Sequence, residues 1–146
     1  MSSMQDSREA AMIGRRTDGT TVRRPLSPHL QVYDMMQMSS LSSILTRITG
    51  VAWSLGIVLL VWGLVALALG PAAYADAKAA LGHPLGKLVL FGMTVAGWYH
   101  TLAGIRHLNW DIGRGFQLPE MYRTGWMVFI GTAVLSVLTW AIALLS

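Results

Sequence analysis

Chemistry has few places to reside in this chain. His100 stands in a run, residues 88–105, that contains no Asp, Glu, Lys or Arg; the phenol of Tyr99 is its only other ionisable group. A polar side chain in so apolar a stretch is costly and is a functional hypothesis by default. On a helix, Ala96, Gly97, Ala103 and Gly104 share its face, and all four are small. The imidazole therefore looks over a flat clearing of the kind a porphyrin plane needs if a histidine nitrogen is to reach its iron. The same small residues would equally admit a second helix, with the histidine hydrogen-bonded across the contact. His107 lies nearly two turns on, on roughly the same face and about 10 Å along the axis. With Arg106 and Asp111 it marks the end of the run. Cationic groups there could hold two haem propionates, or they could be ordinary interfacial anchors.

A second polar pair, Ser43 and Arg47, precedes the first long apolar run and falls on one helical face. Arg47 could snorkel to the headgroups while Ser43 caps the helix. The pair could also line a pocket at the membrane edge that hydrogen-bonds a quinone carbonyl. Of the other histidines, His29 lies in the N-terminal segment and His83 in a connection at the opposite end of the membrane from His107, where it reads as a solvated loop residue.

The elements that must position these residues follow from composition. The chain has 146 residues, 53% hydrophobic and 12% charged, with a mean hydropathy of +0.50. That is too apolar for a soluble domain of this size and points to an all-α membrane protein. Residues 1–42 read as a flexible cytoplasmic tail and interfacial segment, with a proline-containing extended entry near residues 24–33. Residues 43–146 read as a three-helix transmembrane anchor, with helices at about 46–69, 85–110 and 124–145. Each is long enough to span the hydrocarbon core, for which about 20 residues suffice. Gly50, Gly56 and Gly63 suit close packing of the first helix on another. There is no cysteine, which excludes iron–sulfur ligation by this chain and covalent haem attachment through C-x-x-C-H. No basic stripe with interleaved aromatics appears, so the net charge of +4 is a topology signal and not a nucleic-acid surface. Nine arginines lie in the tail, at the Ser43/Arg47 end or near the second connection, against Lys78 and Lys87 on the other side. The positive-inside rule then places the N-terminus and the 107–123 region in the cytoplasm. The acidic residues of the tail favour a bacterial inner membrane over a mitochondrial one.

The stretch from His100 to Gly113 carries every fixed position of a signature: His, three residues, Gly, an aliphatic, Arg-His, an apolar residue, any residue, an aromatic, Asp, any residue, Gly. It resembles the cytochrome b membrane-anchor subunit of succinate dehydrogenase. Arg24-Pro25-Leu26 followed by Ser43-x-x-x-Arg47-Ile48-Thr49 resembles a second signature of the same family. The resemblance implies that His100 is an axial ligand of haem b. It implies that Ser43 and Arg47 line a ubiquinone site, with Arg47 also near a haem propionate. Arg106, His107 and Asp111 become candidates for propionate contacts or a proton path. The sequence departs from the family at Thr46, where a histidine is usual, so no titrating group stands there. Three helices are few to enclose a haem, and no second histidine lies at the depth of His100. The second ligand therefore belongs to another chain, which in the family is a second small anchor subunit, so this chain forms half of a haem-binding helical bundle. The remaining partners implied are an iron–sulfur subunit, a flavoprotein subunit that oxidises succinate, and the lipid membrane; this chain itself performs no chemistry on succinate. Two alternatives stand beside this reading: the anchor of a quinol:fumarate reductase, and a haem-free membrane scaffold in which His100 relays protons.

Overall fold

The computed structural model describes residues 10, 12–24 and 36–145. Of the extended entry expected near residues 24–33, residues 25–33, His29 among them, lie outside the described residues. The chain divides into two compact units, residues 1–37 and residues 38–146.

Within the first unit, Ile13–Arg15 (β1) and Thr21–Arg23 (β2) pair antiparallel, with Gly14 opposite Val22. The turn between them is built by Asp18, whose carboxylate accepts from the Thr20 hydroxyl (2.6 Å) and the Thr20 N–H (2.9 Å). Those two bonds, the hydroxyl first, hold the Asp18 carboxyl below its usual range. A tail without structure was expected over this segment. The hairpin forms around an Asp18-Gly19 turn in which Gly19 takes φ +84°, a turn signal that the arginines around it obscure.

The second unit is four helices: Met38–Leu69 (α1), Pro71–Gly82 (α2), Pro84–Asp111 (α3) and Leu118–Leu145 (α4). Three of them, α1, α3 and α4, are long and apolar enough to cross a membrane, as expected. Their starts differ from expectation for local reasons. α1 begins at Met38, ahead of the helix start read at about residue 46, and two of the polar side chains in this early stretch bond back along the helix. Ser42 Oγ donates to the Ser39 carbonyl (3.2 Å) and Thr46 Oγ1 to the Ser42 carbonyl (2.7 Å). α4 begins at Leu118 rather than near 124: Pro119 is compatible with a first turn, and Glu120 there complements the helix dipole. The connection between α1 and α3 is itself the helix α2. Gly70, at φ +117°, makes the bend that only glycine enters freely, and Pro71 starts the new helix. His83 is exposed between α2 and α3, as expected of a solvated residue of the connection; its N–H closes α2 on the Ala79 carbonyl, and its Nδ1 accepts from Leu85 N to cap α3.

α3 packs on both α1 and α4, and α1 also meets α4. Glycine lets the helices approach closely. Met93 occupies the space a side chain at Gly56 would need, Trp53 lies over Gly97, Met38 over Gly125 and Leu102 over Gly131. Gly63 faces open space. Tyr99, Ala103 and Val128 form the core where the three helices meet, with Leu45, Leu102 and Phe129 against it. Towards the other end, α3 and α4 exchange two hydrogen bonds, Trp98 Nε1 to Thr139 Oγ1 (3.0 Å) and Trp140 Nε1 to Thr94 Oγ1 (3.2 Å). Only 11, 22 and 17% of the three apolar spans is buried within the chain. The remaining apolar surface needs lipid or protein against it.

Candidate functional site

The antiparallel run of the helices brings the start of α1, the C-terminal half of α3 and the start of α4 to one end. Three polar clusters gather there.

The first is His100. Its ring, half-buried, faces the α1 backbone, and its Nδ1 lies 3.2 Å from the Thr46 carbonyl and 3.5 Å from Thr49 Oγ1. The Thr49 hydroxyl donates to the carbonyls of Leu45 (2.7 Å) and Thr46 (3.2 Å). A carbonyl can only accept, so Nδ1 carries the hydrogen and donates to Thr46, and the lone pair is left on Nε2. Among the described residues Nε2 has no hydrogen-bond partner. Gly50 makes room for the ring: a Cβ there would stand 3.0 Å from His100 Cε1. The clearing read from sequence is partly filled. Ala96, Gly97 and Ala103 are buried, Gly97 beneath Trp53, whereas no neighbouring atom lies where a Cβ on Gly104 would reach. A neutral imidazole with Nδ1–H fixed by a carbonyl and Nε2 available is the arrangement that orients a metal-ligating histidine. The residues present therefore fit axial ligation of a haem iron by this chain, with the remaining ligand supplied from outside the described residues.

The second cluster surrounds Arg106. Its guanidinium is turned into the bundle and only 6% of the residue is exposed. Nε donates to Thr124 Oγ1 (3.0 Å), Nη1 to Ser42 Oγ (3.0 Å) and Nη2 to the Met121 carbonyl (2.8 Å). The guanidinium also lies 4.4 Å from the centre of the Trp110 ring. The reading of Arg106 as an interfacial anchor is corrected by this burial. It lies about 120° round α3 from His100, on the face that meets α1 and α4.

The third cluster is open. Arg47 is exposed and Ser43 half-buried, one turn apart on α1. Neither makes a side-chain hydrogen bond to a described residue. His107 and Asp111 are exposed at the end of α3. His107 donates from Nδ1 to the Ala103 carbonyl (2.7 Å) and packs edge-on against Trp110. Asp111 sits in the last turn of α3, where the helix dipole disfavours a negative charge.

The structure thus brings His100 to Thr46 and Arg106 to Ser42, and leaves Ser43, Arg47, His107 and Asp111 facing outwards at the same end. Sequence reasoning passed over Ser42 and Thr124, and noted Tyr99 and Gly50 without giving either a place at the site. Ser42 differs from Ser43 only in phase. The signal available was that Ser42, Thr46 and Thr49 recur at four and three, marking the inward stripe of α1. The Thr46 hydroxyl is committed to its own helix, and it is the Thr46 carbonyl that serves His100.

The family described as succinate dehydrogenase/fumarate reductase transmembrane subunit matches residues 20–139. The chain is 46% identical over 116 residues to the succinate dehydrogenase cytochrome b556 subunit of Paracoccus denitrificans, covering 80% of this chain and 88% of that one. To the corresponding subunit of Rickettsia conorii it is 41% identical over 118 residues, 81% of this chain and 91% of the relative. To the mitochondrial cytochrome b560 subunit of Bos taurus it is 37% identical over 132 residues, 81% of this chain and 70% of the relative.

Proposed function

The chain belongs to the succinate dehydrogenase/fumarate reductase transmembrane subunit family, and from that premise we propose that it holds one side of a haem b through His100 and builds part of a ubiquinone-reduction site with Ser43 and Arg47. It is a membrane-anchor subunit of a succinate dehydrogenase. The cytochrome b names of its relatives point to haem b as the cofactor. A flavoprotein subunit, an iron–sulfur subunit and a second small anchor complete the assembly in this reading, and succinate is oxidised on the flavoprotein and not here.

The observation that carries the proposal is the His100 tautomer. Donation from Nδ1 to the Thr46 carbonyl would leave Nε2 of His100 to hold the haem iron, with a histidine of the second anchor as the other protein ligand. Haem b, when bound, supplies a one-electron carrier between the quinone site and the rest of the complex. Ser43 donates a hydrogen bond to one quinone oxygen, and Arg47 stabilises the negative charge that grows on it during reduction. His107 holds Nδ1 on the Ala103 carbonyl and stands on the proton path of the quinone site or meets a propionate through its other ring nitrogen; Asp111 extends that path to water. The two lysines, Lys78 and Lys87, lie towards the end where α2 joins α1 and α3, whereas Arg47, Arg106, Arg114 and Arg123 share the site's end. This charge asymmetry supports a cytoplasmic N-terminus and a site facing the cytoplasm, in a bacterial inner membrane.

The test uses the purified complex. His100→Ala is expected to lose the α band of the dithionite-reduced minus oxidised spectrum. Arg47→Ala is expected to keep the band and lose most quinone reduction. A band unchanged by His100→Ala moves the ligand to another chain. No band even in the wild type returns His100 to the role of a packing or proton-relay residue.

A further inference from the structure

We infer that Arg106 is the positioning residue of the site: a buried cationic clamp that sets the register of α1 against α3, acting through Ser42. The inference rests on the haem and quinone reading above.

Every acceptor that the Arg106 side chain meets is neutral: a serine hydroxyl, a threonine hydroxyl and a backbone carbonyl. Among the described residues no carboxylate is paired with it. A guanidinium held at 6% exposure without a counter-ion is expensive, and a methionine or leucine of similar volume would pack there at lower cost. What the charge provides is a grip on three elements at once. From its place in α3 it holds the first two turns of α4 through Met121 and Thr124, and the second turn of α1 through Ser42.

Ser42 is held from two further directions. Its carbonyl accepts from the Tyr99 hydroxyl (3.3 Å) and from Thr46 Oγ1 (2.7 Å). Ser43 follows Ser42 directly, and Thr46, whose carbonyl fixes the His100 tautomer, lies one turn on. A rotation or slide of α1 therefore moves Ser43 and Arg47 and lengthens the His100 bond together. Arg106 and Tyr99 belong to the helix that carries His100, so the clamp measures α1 directly against the ligand's own helix. Met38, seated over Gly125, brings the start of α1 close enough to α4 for one guanidinium to reach both.

A direct propionate contact by Arg106 makes a different forecast, and a variant series in the intact complex separates the two. Ser42→Ala, Arg106→Lys, Arg106→Met, the double variant Ser42→Ala with Arg106→Met, and Arg47→Ala are compared. The readouts are KM and kcat for a short-chain ubiquinone, succinate oxidation with a water-soluble dye, and the haem spectrum. Ser42→Ala is expected to raise the quinone KM about tenfold, the scale of one hydrogen bond to a charged group. Dye activity, which is read ahead of the quinone site, should be unchanged. Arg106→Met should raise KM at least as far, the double variant no further, and Arg106→Lys should recover part of the loss. A wild-type KM in Ser42→Ala, or additive effects in the double variant, overturns the inference. If Arg106→Met does not assemble, Ser42→Ala and Arg106→Lys decide. Arg47→Ala at wild-type KM sinks the quinone reading and the inference with it. A raised KM in Arg47→Ala beside an unmoved Ser42→Ala sinks the inference alone.

Discussion

Gly50→Ala adds one methyl group to the face of α1 that meets the His100 ring. Its Cβ would stand 3.0 Å from Cε1 and 3.4 Å from Nδ1. Comfortable carbon contacts begin near 3.5 Å, so the ring has to retreat from α1 by roughly 0.5 Å. Gly50 and Thr46 are one turn apart on the same helix, so a ring pushed away from Gly50 also leaves the Thr46 carbonyl. The Nδ1 to Thr46 distance of 3.2 Å is already at the long end for such a bond, and a further ~0.5 Å removes it. Loss of the group that orients a ligating histidine commonly costs about 10- to 100-fold in affinity for the metal centre. The assay is the rate at which the purified, oxidised complex gives up haem to an excess of a haem-accepting protein. Gly50→Ala should release haem at least about tenfold faster than the wild type. Gly63→Ala, which meets nothing within 4 Å, should behave as the wild type. Equal rates for Gly50→Ala and the wild type would refute the claim that this contact positions the ligand.

Three further outcomes follow from the same geometry. Gly97→Ala places a Cβ 2.7 Å from the Trp53 ring and should cost about 1–3 kcal/mol by overpacking, seen as a lower Tm of the complex, whereas Gly92→Ala, with nothing in reach, should leave Tm unchanged. Thr139→Val removes the acceptor of the Trp98 indole and should cost about 0.6–1.7 kcal/mol in unfolding from detergent, the range for hydrogen bonds between membrane helices; no loss would mean that the indole finds another partner. Asp18 has its pKa lowered by Thr20 in the folded hairpin. Its contribution is thus present above the unfolded carboxylate value and fades as pH falls through the lower, folded one; protection of the Thr20 amide from hydrogen exchange should fall over that acidic window, and in Asp18→Ala it should be weak throughout.

The three spans were legible because length and the absence of charge are read directly from residue types. The His100 to Gly113 spacing was legible because the site lies largely on one continuous helix. What was not legible depended on phase between helices. Ser42 and Ser43 are alike in type and adjacent, and only the packing of Met38 on Gly125 and of Trp53 on Gly97 decides which of them faces Arg106. Arg106 itself reads as a boundary cation until α1 and α4 are seen to offer it three neutral acceptors. The early start of α1 was hidden for a related reason: serines compete with helical hydrogen bonds in isolation, but here Ser42 bonds back along the helix and across to Arg106 on α3. The hairpin at residues 13–23 was masked by arginines on strands of three residues, too short for a pattern to stand out.

The central claim is that His100 presents its imidazole to a haem iron, and one measurement addresses it most directly. In the purified complex carrying His100→Gly, the reduced-minus-oxidised spectrum is recorded with and without added imidazole. The account expects the low-spin α band to be absent without imidazole and restored when free imidazole enters the space the side chain has left. A full-strength band in the variant with no imidazole present would contradict it.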